Sequence, residues 1–111
     1  MVFDEIALAP RDRDTLVGLI DRFLPGTPVW AFGSRVTGNS RPWSDLDLVV
    51  FAGAEQRPRL SLLKEALEES NLPFRVDLLE WEGLPENFKE TIKAGYAALH
   101  NGSDRLGEPA S

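Results

Sequence analysis

Three short runs of residues have types and spacings that chemistry could use. The first is Asp45-Leu46-Asp47. In an extended chain, side chains at i and i+2 share a face, so these two carboxylates project side by side. Adjacent anions repel, and the pair is unfavourable unless water or a cation intervenes. Mg²⁺ is such a cation, because it takes hard oxygen ligands and fills its shell with water and phosphate oxygens. The alternative is a solvent-facing edge carrying two exposed acids. The second run is Gly33-Ser34, which follows a short apolar stretch. Glycine admits close approach of backbone to ligand, and a following turn would aim N–H groups at a phosphate. The Ser34 hydroxyl adds a donor and Arg35 a charge, although an ordinary loop turn uses the same Gly-Ser pair. The third is Asp77 within Val76-Asp77-Leu78-Leu79, where a charge in an apolar run needs a reason. One such reason is protection of an edge strand from aggregation. Taken together, the three acids suit two-metal phosphoryl chemistry: two acids bridge a metal pair and the third binds one metal. Such chemistry rests on positioning and charge neutralisation, so a small site is enough.

The elements that must hold these residues are legible in the hydrophobic pattern. From about Asp12 to Leu24, apolar residues Leu16, Val17, Ile20, Phe23 and Leu24 give amphipathic helix spacing. Asp12 is the expected N-cap, and Pro25-Gly26 the stop. Pro28 to Phe32 reads as a buried strand that delivers Gly33-Ser34 at its end, and Gly33 to Ser44 as a polar loop. Asp45 to Phe51 alternates and then turns continuously apolar, as expected of an interior strand. Pro58 to Ser70 is a second amphipathic helix with Leu60, Leu63 and Leu67 on one face. Phe74 to Trp81 is a third strand, and a third helix follows Pro85 and ends near Gly95. Tyr96 to Leu99 is a candidate closing strand. This order predicts an α/β (α+β) domain, with helices packed on a small mixed sheet. Residues 1–100 form the expected single domain, and 101–111 the expected disordered tail.

Composition narrows the function classes. The chain has 111 residues, 42% of them hydrophobic, which suits one domain with one modest core. Its formal net charge of −6 argues against direct nucleic-acid binding, which relies on Lys and Arg neutralising phosphates. A phosphate handled here is better sought in a small molecule carried with a metal, and the acidic surface suits a basic protein partner. Having no cysteine and one histidine, the chain offers neither disulfides nor the usual zinc ligand sets, which fits a cytoplasmic location. No apolar run approaches a membrane span, and the first residues show no signal-peptide pattern.

With these residues in view, the sequence resembles the nucleotidyltransferase superfamily that includes DNA polymerase β. The family pattern is Gly-Ser, ten residues, then Asp-x-Asp, matched here by Gly33-Ser34, Arg35 to Ser44, and Asp45-Leu46-Asp47. The fuller pattern is matched by Phe32-Gly33-Ser34-Arg35-Val36-Thr37-Gly38 and Ser44-Asp45-Leu46-Asp47-Leu48, with Val36 in place of the usual alanine. Val76-Asp77-Leu78 matches the third acid of the family. Within the superfamily the chain is most similar to the minimal nucleotidyltransferases, the MNT proteins encoded beside HEPN proteins. That resemblance implies an antitoxin that transfers AMP from ATP to a tyrosine of a HEPN-type toxin, in a hetero-oligomer. It also implies that Gly33 and Ser34 hold the triphosphate, with Arg35 and Ser44 as lesser nucleotide contacts. Asp45, Asp47 and Asp77 would be the catalytic residues and would ligate two Mg²⁺ ions, Asp77 also helping to deprotonate the acceptor.

Two other functions stay open at the sequence level: a non-catalytic antitoxin that neutralises its toxin by binding, and a nucleotidyltransferase for a small molecule. The short length left after one catalytic core favours a protein acceptor over a small one. Among the remaining residues, Trp30 reads as core and Trp81 as a cap on the core. Trp43 in the loop could stack on a base, anchor a partner or simply pack. Tyr96 reads as a packed aromatic, His100 as a surface or core histidine, and Glu65, Glu68 and Glu69 as a solvated helix face.

Overall fold

The computed structural model describes residues 2–3 and 5–101. The first helix, α1 (Pro10–Phe23), begins two residues before the expected Asp12. Proline fixes the φ that a first helical turn needs and gives up an N–H that has no partner there. Asp12 consequently lies inside the first turn, where its charge favours the helix N-terminus, and the cap is Ala9 with no side-chain bond. Leu16 and Ile20 are fully buried along one stripe, each contributing roughly 1.5–3 kcal/mol of burial. The chain then turns through Gly26, at φ 76°, into β1 (Pro28–Phe32).

Within the segment read as a polar loop, Ser34–Thr37 forms one helical turn, α2, closed by Gly38 in the left-handed conformation. Strand β2 (Leu46–Val50) follows, with Asp45 just before its first residue. Helix α3 (Arg57–Glu68) has Pro58 in its first turn and buries Leu60, Leu63 and Leu67. Strand β3 is Val76–Glu80, and Trp81–Gly83 is a 3₁₀ turn rather than the end of the strand. Helix α4 (Glu86–Ala94) leads into β4 (Tyr96–Asn101), so the closing strand is present and extends to Asn101. The rest of the expected tail, 102–111, lies outside the described residues.

The sheet order is β3-β2-β1-β4, with β1 antiparallel to β2 and β4, and β2 parallel to β3. It is therefore the mixed sheet expected. Alternation along each strand sends Val29, Ala31, Leu46, Leu48, Val50 and Leu78 to one face, where α1 and α3 cover them. The other face carries Trp30, Phe32, Asp47, Val49, Asp77 and Leu79. There α4 sets Phe88 edge-on to Phe32 at 5.9 Å, and Trp30 stacks on Tyr96 at 3.7 Å. Trp30 is thus half-buried in an aromatic cluster with Phe51, Trp81 and Tyr96, outside the main core. His100 is a core histidine: Nδ1 donates to the Thr27 carbonyl at 2.7 Å, and Nε2 lies 3.2 Å from Asp21 Oδ1. No helix among the described residues is long and apolar enough to cross a membrane.

Candidate functional site

The end of β1 and the beginnings of β2 and β3 lie side by side at one edge of the sheet. Phe32 pairs with Asp47 across the antiparallel ladder, and Asp47 pairs with Asp77 across the parallel one. Because directly paired residues share a face, both carboxylates project from the face opposite α1 and α3. Asp45 stands two residues before Asp47. Its charge and that of Asp77 both act on Asp47, whose carboxyl is held above the ordinary value of 3.8 by burial first, then by Asp77, then by Asp45. The three acids predicted from the sequence therefore meet in one electrostatic cluster.

Gly33 closes the cluster from the β1 side. It has φ 88°, and a Cβ placed on it would stand 2.6 Å from Asp47 Oδ2. Only a residue without a side chain lets the backbone take this shape and lie against the carboxylate. Ser34 opens α2, and the first amides of a helical turn have no intrahelical acceptor. The Gly-Ser turn is thus brought beside the acids, with Ser34 half-buried.

Arg35 has a different place from the nucleotide contact expected of it. It is buried at 6% exposure, and all three guanidinium nitrogens donate to main-chain carbonyls. Nε donates to Ser44 at 2.9 Å, Nη2 to Pro42 at 2.9 Å, and Nη1 to Ala7. Its guanidinium carbon also lies 4.2 Å from the centre of the Phe74 ring. Burial pushes its pKa below the ordinary value, against the opposing pull of Asp12 and Asp45. Arg35 is a clamp that joins the Gly-Ser turn, the loop before the acids and the N-terminal segment. Ser44 belongs to the same brace: its Oγ accepts from the Arg41 amide at 2.8 Å.

Arg75, on which no chemistry is expected from the sequence, stands beside Asp77. Its Nε donates to Asp77 Oδ1 at 3.2 Å, an exposed pairing that leaves the other carboxylate oxygen uncommitted. The i, i+2 spacing of Arg75 and Asp77 was the available signal. Ala7 and Phe74, as partners of Arg35, gave none, since carbonyl and ring-face contacts between distant segments leave no pattern.

Three carboxylates offering hard oxygens are the donor type that Mg²⁺ takes. Among the described residues no three acidic or histidine side chains enclose a cation by themselves, so phosphate oxygens and water would supply the rest of the shell. Chemically, such an arrangement can hold a triphosphate against the Gly-Ser turn and neutralise charge at a phosphorus under attack.

Comparison with known proteins agrees with this geometry. Residues 27–103 match the family described as "Polymerase beta, Nucleotidyltransferase". The chain is 38% identical over 113 residues to the "Probable protein adenylyltransferase MntA" of Haemophilus influenzae, covering 98% of this chain and 96% of that protein. Two solved structures share the fold. One, a toxin–antitoxin crystallised with AMP-PNP, matches with a TM-score of 0.62 at 21% identity, over 85% of this chain and 78% of that one. The other, the toxin–antitoxin MntA-HepT, matches with a TM-score of 0.53 at 16% identity, over 86% and 76%. The family match and the 38% identity over nearly the full length of both proteins are decisive: this chain belongs to the polymerase β nucleotidyltransferase family, in the branch of minimal nucleotidyltransferases that contains MntA, and it is a nucleotidyltransferase.

Proposed function

We propose that this chain is the antitoxin of a toxin–antitoxin pair and transfers AMP from ATP to a hydroxyl, a tyrosine for preference, of a HEPN-type toxin. The observation that carries the reading is the register that sets Asp77 opposite Asp47, with Asp45 acting on the same carboxylate. The names of the relatives add support, since they include a protein adenylyltransferase and the toxin–antitoxin MntA-HepT. The location we assign is the cytoplasm, consistent with a chain that has no cysteine. Residues 1–100 act as a single domain.

In this reading Gly33 and Ser34 hold the triphosphate, and Asp45, Asp47 and Asp77 would hold two Mg²⁺ ions. The acceptor oxygen forms a bond to the α-phosphorus, the bond to the bridging oxygen breaks, and pyrophosphate leaves. Asp77 takes the hydroxyl proton. When bound, Mg²⁺ neutralises the phosphate charge and makes the acceptor hydroxyl easier to deprotonate. Gly33 keeps Asp47 in place by leaving room for its carboxylate.

The test is transfer of label from α-labelled ATP to the purified HEPN-type partner in the presence of Mg²⁺. Asp47→Ala should lower transfer by at least about 10²-fold with unchanged circular dichroism. Transfer at the wild-type rate by that variant would remove the site. If an Asp45→Ala/Asp47→Ala chain still protected cells from the toxin in full, neutralisation would proceed by occlusion instead.

A further inference from the structure

The loop before the acids displays a side chain that the transfer site itself does not use. Trp43 is 69% exposed, more than the other exposed large apolar residues among those described, Val2 and Leu62. A single exposed apolar residue is ordinary in itself. Trp43 differs in how it is held and where it stands. On its N-terminal side, the Pro42 carbonyl accepts from Arg35 Nη2 at 2.9 Å. On its C-terminal side, the Ser44 carbonyl accepts from Arg35 Nε at 2.9 Å, and Ser44 Oγ and N bond Arg41 at 2.8 and 2.9 Å. The indole therefore sits on a loop ordered in advance, and burying it against a partner forgoes little conformational freedom.

The geometry points to Arg41-Pro42-Trp43 as the surface that docks the acceptor protein, with the Trp43 indole as its anchor. This rests on the reading that the acceptor is a protein. Such an acceptor must bring a hydroxyl to the three acids, so its surface has to lie over the rim of the site. A specific interface covers roughly 800 Å² per partner, a patch about 30 Å across. The Trp43 Cα is within about 8 Å of the Asp45 Cα, because only two peptide units separate them. An interface of that width centred on the acids extends over Trp43. Arg and Trp are also the side chains that dominate the centres of interfaces, and here Arg41 and Trp43 are exposed together in a chain of net charge −6. A nucleobase is the weaker occupant: it would stack on one ring face, whereas the uncovered surface exceeds one face.

The experiment titrates the HEPN-type partner into this chain by calorimetry and, in parallel, measures KM for the partner and Kd for Mg·ATP. Trp43→Ala should weaken partner binding and raise the partner KM by about tenfold or more, leaving Kd for Mg·ATP unchanged. Trp43→Phe should retain most of the affinity. Leu62→Ala, on α3 across the sheet from the acids, should change neither quantity. A weaker Mg·ATP affinity with an unchanged partner KM would assign the indole to the base and overturn the proposal, as would no change in either. A wild-type chain that binds the partner but transfers no AMP would sink the transfer reading alone, and docking would still be decided by the Trp43→Ala titration. A wild-type chain that does not bind the partner would overturn docking.

Discussion

At Asp47, burial and like charge act on one carboxylate. The residue lies among Asp45, Asp77 and the backbone of Gly33, and its carboxyl is raised above 3.8 by burial and by its two acidic neighbours. Without a metal, the folded protein therefore holds the Asp47 proton more tightly than the unfolded chain does. Its contribution to stability is present at low pH and is lost as pH rises through the folded-state value. Asp47→Asn removes the charge and keeps the shape. In EDTA at pH 7 we expect that variant to melt above the wild type, with the gap closing as pH falls below the ordinary carboxylate range, read by scanning calorimetry. Its transferase activity should fall at least about 10²-fold. Of the residues in the cluster, the acids and the Gly-Ser pair were legible because a fixed spacing ties type to position. The place of Arg35 was not legible, because a guanidinium facing a ligand and one bonded to three carbonyls look the same in sequence.

Elements bring the site together, and Arg35 shows how. One side chain on α2 reaches the N-terminal segment at Ala7, the loop at Pro42 and Ser44, and the ring of Phe74 ahead of β3. Lysine carries the same charge but lacks the planar fork, so it cannot satisfy all three carbonyls. Arg35→Lys should cost about 1–3 kcal/mol in urea unfolding and slow transfer, because the Gly-Ser turn and the acid pair lose their common brace. The helices and strands themselves followed from period and punctuation, with ends shifted by a residue or two. The larger departures were local. Proline moved the start of α1 to Pro10, a turn of helix formed inside a segment rich in loop residues, and Trp81 left its strand for a 3₁₀ turn. Side-chain bonds and aromatic packing from distant segments decide such details, and short-range pattern does not report them.

At the level of the whole molecule, the sheet separates duties. Its α1/α3 face holds the main apolar core, and its other face holds the acids and an aromatic cluster under α4. Charge removed from the acid face therefore need not loosen the core, and ligand binding should report on that face alone. With Mg²⁺ and a non-hydrolysable ATP analogue at a hundredfold excess over Kd, the wild type should gain about 2.7 kcal/mol. That corresponds to a melting shift on the order of 10 °C for a domain of this size. The Asp45→Asn/Asp47→Asn chain should show little of it. An equal shift in both, measured by thermal unfolding, would mean that the nucleotide binds elsewhere.

The parallel pairing of β2 with β3 also sets a schedule for synthesis. Translation delivers Gly33-Ser34 and then Asp45 and Asp47, but Asp77 arrives only after the whole of α3 has been made and the chain has crossed back over the sheet. A nascent chain on the ribosome has two carboxylates and no completed centre until β3 leaves the exit tunnel and docks. On the proposed role of Asp77, translation that stops short of β3 should yield a fragment without transferase activity, however well α1 and the first two strands have folded.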